Sequence, residues 1–469
     1  MWEANKRDGK WLIIHSMIAR VAVFVLQFIF SSFDFSTDAF KGLQEPEMWA
    51  GWVFRGFIRW DSIQFLHIAE HGYVYEHSLA FFPFFPTVLR YFSYLLETAS
   101  MGAISSPSTL IIAAVILNSI TFIISSLLIY NISFILTSSQ KISQISCLLF
   151  SINPASIFFS SIYTESLYCC LSLIGILLLL TSRSLLTLPL TTLIFAFALL
   201  TRSNGLLNIG YILFYEGLRV IGPRRENLWN KSLCVQSFRI GYYLIRMGLT
   251  ITFIIFTLRI HSNRQMKQFC LEKSFDLPLP LIAFGQRENL TAVGSSVLWC
   301  SESSLIFPPF YSSIQGQYWD VNLFGYWKMN KIPCFVLAAP ALILTVYCTL
   351  RVINRVLLNG MEWLIHSHGD CLPFALHSLA LAIPALLIYN VEVFTRIVFS
   401  SSPFLYIELA RIIHERTPEV IVDHLSKPRF FPFVPYLLYR KDICCVISMY
   451  FIFYFLVGTA MHSSFLPFT

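Results

Sequence analysis

The 469-residue chain is 56% hydrophobic and 16% aromatic with only 13% charged residues, against roughly 25% charged in soluble domains. Near-continuous apolar segments recur along residues 1–469, which excludes a string of soluble domains and indicates a single all-α polytopic membrane domain. The +7 formal charge is scattered or sits between apolar segments; no basic stripe with interleaved aromatics points to nucleic acid, so the partners expected are lipids and lipid-linked molecules.

In chain order, Trp11 to Phe33 is apolar and follows Lys6, Arg7 and Lys10. It is too long for a signal-peptide core and is read as an uncleaved first span with a cytosolic N-terminus. Residues 34–108 then form a first luminal loop. Within it, Asp61 followed by Gln64 reads as a capping-box start and Gly72 as a left-handed C-cap, which predicts a helix of about three turns. Gln64, His67 and His71 share one stripe of that helix; Phe65, Leu66, Ile68 and Ala69 make a broad apolar surface suited to lying along a membrane. Phe81 to Leu96 is apolar but broken by Pro83 and Pro86, so it is read as re-entrant.

Further spans are expected near 109–136, 143–160, 163–181, 185–201, 205–221, 240–260, 332–350, 372–391 and 443–460, with one or two more in 395–440, about 10–12 in all. This count places Lys141, Arg183, Arg224, Arg225, Lys231, Arg351 and Arg355 on the cytosolic side, as the positive-inside bias asks. Segment 261–331 becomes a long luminal loop. It carries the usable glycosylation sequon at Asn289, whereas those at Asn131 and Asn230 read as chance. Of eleven cysteines, most read as small buried hydrophobes; Cys270 and Cys300 share the long loop and are a candidate disulfide.

Polar clusters interrupt the apolar background at helix ends. They include Tyr163-Thr164-Glu165-Ser166, Arg202-Ser203-Asn204-Gly205, Gln315 to Asp320, and Asn390 to Arg396. Ionisable groups at membrane depth are costly, so Glu165, Arg202, Asp320, Glu392 and Arg396 are expected to converge on one polar cavity. Arg202 and Arg396 suit a phosphate, because a guanidinium binds it as a fork. Each charge alone has a plainer reading as an interfacial residue, and Asp61 as an ordinary helix cap. His67-Ile-Ala-Glu70-His71 matches the H-x-x-E-H zinc pattern, but no third ligand accompanies it and no metal site is assigned. No D-x-D, Walker loop or G-x-S-x-G is present, which leaves nucleotide-sugar transfer through a D-x-D, ATP hydrolysis and serine hydrolysis without local support.

Arg59-Trp60-Asp61, His67 to His77 and Phe81-Phe82-Pro83…Phe85-Pro86 together resemble the first luminal loop of the GPI mannosyltransferase 2 family. Asn153-Pro154-Ala155, Arg202-Ser203-Asn204-Gly205, Tyr318-Trp319, Thr395-Arg396 and the stretch from Gly458 to Thr469 are similar to its later blocks, in order. Thr164 and Phe84 depart from a small residue, and Asp320 from the frequent Asn. The resemblance implies a glycosyltransferase C type enzyme of the endoplasmic reticulum membrane, with its active site in luminal loops. Such an enzyme transfers the second, α-1,6-linked mannose from dolichyl phosphate mannose to the GPI precursor. It carries the catalytic-base role to Asp61 and substrate binding to Arg59, Trp60, His67, Glu70, His71, Glu165, Arg202, Asn204, Gln315, Tyr318, Trp319 and Arg396. The donor, the acceptor glycolipid, membrane lipids and a small membrane subunit are then the partners to look for. A lipid flippase is the alternative from another class, although no related halves are evident; a scaffold would need no role for Asp61.

Overall fold

The structure, a computed structural model, describes residues 6–33, 49–104, 106–182, 184, 186–221, 233–271, 277–294, 297–301, 308–416 and 442–468. Its helices run α1 (Lys6–Phe30), α2 (Asp61–His71), α3 (Phe84–Ala99), α4 (Ser106–Thr137), α5 (Gln140–Ser151), α6 (Glu165–Thr181), α7 (Thr187–Thr201) and α8 (Ile209–Ile221). They continue as α9 (Leu233–Met266), α10 (Leu279–Arg287), α11 (Pro309–Trp319), α12 (Ile332–His366), α13 (Leu372–Leu387), α14 (Phe394–Ser401), α15 (Phe404–Arg416) and α16 (Ile443–Ser463). Among the described residues, 5 helices are long and apolar enough to cross a membrane, namely α1, α4, α9, α12 and α16. Helices α6, α7 and α13 are apolar but shorter. The protein is an all-α polytopic membrane protein. Arg183, Arg224, Arg225, Lys231 and the Asn230 sequon lie outside the described residues.

Between apolar helices in lipid the hydrophobic effect gives little drive, so small residues and hydroxyl pairs must hold them. Helix α4 shows this along its buried face. Ser126 Oγ accepts from Ser16 Oγ of α1 at 2.8 Å and lies 2.7 Å from Cys147 Sγ of α5. Thr121 Oγ1 meets Ser166 Oγ of α6 at 2.9 Å, and Thr109 Oγ1 meets Ser93 Oγ of α3 at 2.7 Å. Asn131 is spent inside α4, donating to Leu127 O at 2.7 Å.

Three local expectations are corrected. The span expected over 143–160 ends at Ser151, because Asn153 donates back to Phe150 O and accepts from Ala155 N, closing an Asx turn around Pro154. The strap that follows is tied to α1 by Arg20, whose guanidinium donates to Ser156 O at 2.9 Å and Ser160 Oγ at 2.7 Å and lies 3.7 Å over Phe122. Pro83 and Pro86 do not break the next segment: Pro83 is the N-cap of α3 and Pro86 falls in its first turn, where no amide partner is lost. The apolar surface of α2 is packed inside the protein, with Phe65 against Phe81 and Phe85 at 5.2 and 5.4 Å between ring centroids.

Arg355 is more than an orientation signal. It pairs with Glu408 at 2.7 Å and Asp370 at 2.6 Å, while Arg411 pairs with the same two acids at 2.8 and 2.5 Å. Removing one partner from such a buried set costs about 3–5 kcal/mol. The cluster locks α12, the start of α13 and α15 to the end of α4, whose Leu136 O accepts from Arg411 at 3.5 Å.

The 261–331 segment docks onto residues 73–80. Glu76 N donates to Thr291 O at 2.8 Å and Val293 N to Val74 O at 2.9 Å, forming an antiparallel bridge of Tyr75 with Ala292. Cys270 and Cys300 are joined by a disulfide. Asn289, exposed in the turn after α10, sits beside this bridge.

Candidate active site

The first feature of the site is backbone geometry. Trp60, which precedes α2, has φ 51 and ψ −122, a region that costs a non-glycine residue of order 1–3 kcal/mol and persists only when the surroundings impose it. Trp60 packs on Phe465 with ring centroids 4.8 Å apart. Arg59, buried, donates from Nε to Ser463 O at 3.1 Å and lies 5.1 Å over the Phe465 ring. The end of α16 therefore braces the turn. Close approach also requires Gly458, where a Cβ would fall 2.5 Å from the Phe468 ring. At the other end of α2, Gly72 takes φ 80 and ψ −162, available to glycine alone.

Asp61 is not the cap expected from its sequence. Trp60 occupies the N-cap position, without a side-chain cap bond, and Asp61 is the first helical residue. Its carboxylate turns to the helix ends opposite: Oδ2 accepts from Arg396 Nη1 at 2.9 Å. Arg396 Nε lies 3.7 Å from Glu165 Oε1, and Arg202 Nη1 pairs with the same oxygen. Arg202 also donates to Thr164 Oγ1 at 2.9 Å and to Asn204 Oδ1 at 3.3 Å, and Asn204 donates to Ser401 Oγ at 2.8 Å. The arrangement alternates Asp61, Arg396, Glu165 and Arg202, so its charges balance. Only the Asp61 carboxylate is open: its side chain is 28% exposed, against 0% for Glu165.

Of the five charges expected to converge, Glu165, Arg202 and Arg396 meet, joined by Asp61 and Asn204, whereas Asp320 and Glu392 do not. Asp320 is exposed and pairs with Lys328, close in sequence, while Glu392 interacts with Tyr326 and Cys334 on another face. Tyr318 and Trp319 form a separate cluster with the first loop. Tyr318 OH donates to Glu76 Oε2 at 3.2 Å, Trp299 Nε1 donates to Glu76 Oε1 at 2.7 Å, and Trp319 meets Phe81 at 5.9 Å. Gln315 is half-buried on the same helix. This cluster touches α2 through His77, whose Nε2 lies 2.9 Å from Gln64 Oε1. Sequence reading passed over Trp299, whose only local mark is its neighbour Cys300.

His67 and His71 meet edge to face with ring centroids 5.0 Å apart, and Glu70 pairs with His71 at 3.7 Å at the surface. Among the described residues no group of three or more His, Cys, Asp or Glu side chains is gathered to hold a metal. Burial pushes His67 and His77 down to about 4, with His71 and His77 adding to the effect on His67. Both are neutral when folded and bind protons more readily when unfolded. Stability therefore falls as pH drops from about 6.5 and levels off below about 4. The melting temperature of the purified protein is expected to decline from pH 7 to pH 5, with a shallower slope for His67→Phe; equal slopes would contradict this placement.

The site is thus an acid and two guanidiniums held at helix ends of a membrane-crossing helical body. Residues 9–469 match the family described as Mannosyltransferase (PIG-V), and the chain belongs to that family. It is 33% identical to "GPI mannosyltransferase pigv-1" of Caenorhabditis elegans over 96% of this chain and 80% of that one. It is 29% identical to "GPI alpha-1,6-mannosyltransferase 2" of Rattus norvegicus over 88% of each chain, and 27% identical to the Homo sapiens protein of that name over 100% of each. Among solved structures, the oligosaccharyltransferase AglB of Archaeoglobus fulgidus aligns with a TM-score of 0.45 at 12% identity, over 96% of this chain and 56% of that one.

Proposed function

We propose that the protein transfers mannose from dolichyl phosphate mannose to the GPI-anchor precursor, forming the second, α-1,6-linked mannose at the luminal face of the endoplasmic reticulum membrane. The family and the names of its relatives support mannosyl transfer onto a GPI glycolipid. The observation that carries the mechanism is the freed carboxylate of Asp61, held against Arg396 and partly open. The other candidate acids are engaged elsewhere: Glu76 accepts from Trp299 and Tyr318, Glu165 is enclosed by Arg202 and Arg396, and Glu70 lies at the surface with His71.

In this reading the acceptor hydroxyl oxygen bonds to the anomeric carbon of a β-linked mannose from the face opposite the phosphate. Asp61 takes the hydroxyl proton as the bond to phosphate breaks, and the dolichyl phosphate leaves with the electron pair. One displacement turns a β donor into an α product, so no covalent sugar-enzyme intermediate is required. Arg396 and Arg202 supply donors for the leaving phosphate, a role in which guanidinium forks are strong. Arg396 would then shift its pairing between Asp61 and the phosphate as charge moves.

The test is to add the protein to membranes from cells lacking the second GPI mannose, with labelled dolichyl phosphate mannose. Label appearing in a glycolipid cleaved by α-1,6-mannosidase supports the proposal. Export of an unmodified lipid with no new glycolipid would refute it.

A further inference from the structure

A helix start leaves its first amides without intrahelical partners, and a side-chain oxygen at the N-cap normally supplies one. Trp60 has no such oxygen, and if Asp61 bent back to serve the helix its carboxylate would be lost to chemistry. A phenol from a distant part of the chain resolves this conflict. Tyr163 Oη accepts from Asp61 N at 3.3 Å and donates to Arg59 O at 3.2 Å, tying together both ends of the Arg59-Trp60-Asp61 turn. Arg59 O is also held by Ser62, through its amide at 3.1 Å and its hydroxyl at 2.6 Å.

Tyr163 is itself rigidly placed. Its ring is fully buried, edge-on to Phe158 at 5.1 Å, to His462 at 5.5 Å and to Phe65 at 6.3 Å, and it lies under the Arg396 guanidinium at 5.4 Å. Its carbonyl accepts from Asn118 Nδ2 of α4 at 3.0 Å, and that same amide holds Ser161 O at 2.6 Å. Two residues further on, Glu165 carries the partner of Arg396 and Arg202. The Tyr163–Glu165 strap therefore sets the direction of Asp61 from two sides, by its backbone and through the cation that the carboxylate faces.

We propose that Tyr163 is a positioning residue for the transfer reaction: acting from 102 residues away, its hydroxyl caps α2 in place of Asp61 and holds Trp60 in its positive-φ conformation, so that the Asp61 carboxylate stays free and aimed at Arg396. The inference rests on Asp61 being the base. Its structural part, the cap, stands apart from that assignment and is tested separately.

Tyr163→Phe keeps every ring contact and removes the hydroxyl. Its kcat is expected to fall about 20-fold or more, since small misplacement of a reacting group has effects up to about 10²-fold, while KM for donor and acceptor stays within about 2-fold. Hydrogen exchange at the amides of Asp61 to Ile63 should speed up while the global melting temperature changes little. 3-Fluorotyrosine at 163, which keeps a hydroxyl that both accepts and donates on the same ring, should turn over at close to the wild-type rate. Unchanged kcat per folded molecule, or unchanged exchange at the start of α2, would overturn the proposal. If Tyr163→Phe failed to accumulate, exchange of the Asp61 amide in the wild-type protein decides, since this first helical amide has no intrahelical partner: strong protection supports the cap and exchange at the unprotected rate refutes it. An active Asp61→Asn variant would instead remove the base assignment and leave the exchange result standing.

Discussion

Asp61→Asn is expected to lower mannose transfer by about 10³-fold, the scale of a lost general base, while the protein still inserts and accumulates. Asn retains the size of the side chain and a hydrogen bond toward Arg396 but cannot take a proton. Because Trp60, not Asp61, sits at the N-cap, Asp61→Ala is also informative: it removes no cap bond, so its loss of rate should match that of Asn to within a few-fold. Activity of both variants is read as turnover of dolichyl phosphate mannose per folded molecule. Wild-type rate in the Asn variant would return Asp61 to a structural role.

The second large effect is expected at Arg396. Arg396→Lys keeps a positive charge but loses the fork that reaches Asp61 and Glu165 together. A fall in kcat of about 10²-fold is expected, comparable to removing one donor to a developing oxyanion, with a smaller change in donor KM. Arg396→Ala is a poorer test. It strips the buried Glu165 of one of its two cations, and leaving a buried charge underpaired destabilises by about 3–5 kcal/mol. Equal kcat for Lys and Arg at this position would remove Arg396 from leaving-group stabilisation and leave Arg202 as the remaining cation.

Much of the architecture was legible because in a chain this apolar the polar residues are few and placed at helix ends. The start of α2 at Asp61, the positive φ at Gly72 and the meeting of Glu165, Arg202 and Arg396 all follow from that economy. What sequence reading missed arises from contacts between distant segments. The capping-box pattern at Asp61 and Gln64 is outweighed by the Trp60 turn, which exists only because Phe465, Ser463 and Tyr163 close on it from elsewhere in the chain. The resemblance gives Tyr318 and Trp319 a substrate-binding role without saying where they sit; the 261–331 segment pairs with residues 73–80 and carries them to Glu76. Asp320 lies at the exposed end of that same helix beside Lys328. Local pattern carries no record of such docking.

The central claim is that a lipid-linked mannose reaches its acceptor through Asp61. Purified protein reconstituted in liposomes, free of dolichyl phosphate mannose synthase, should be given a GPI precursor bearing one mannose and either labelled dolichyl phosphate mannose or labelled GDP-mannose. The account predicts an α-1,6-linked product from the lipid-linked donor alone, and none with Asp61→Asn. Equal turnover with GDP-mannose, or product formation by the Asn variant at the wild-type rate, would contradict it.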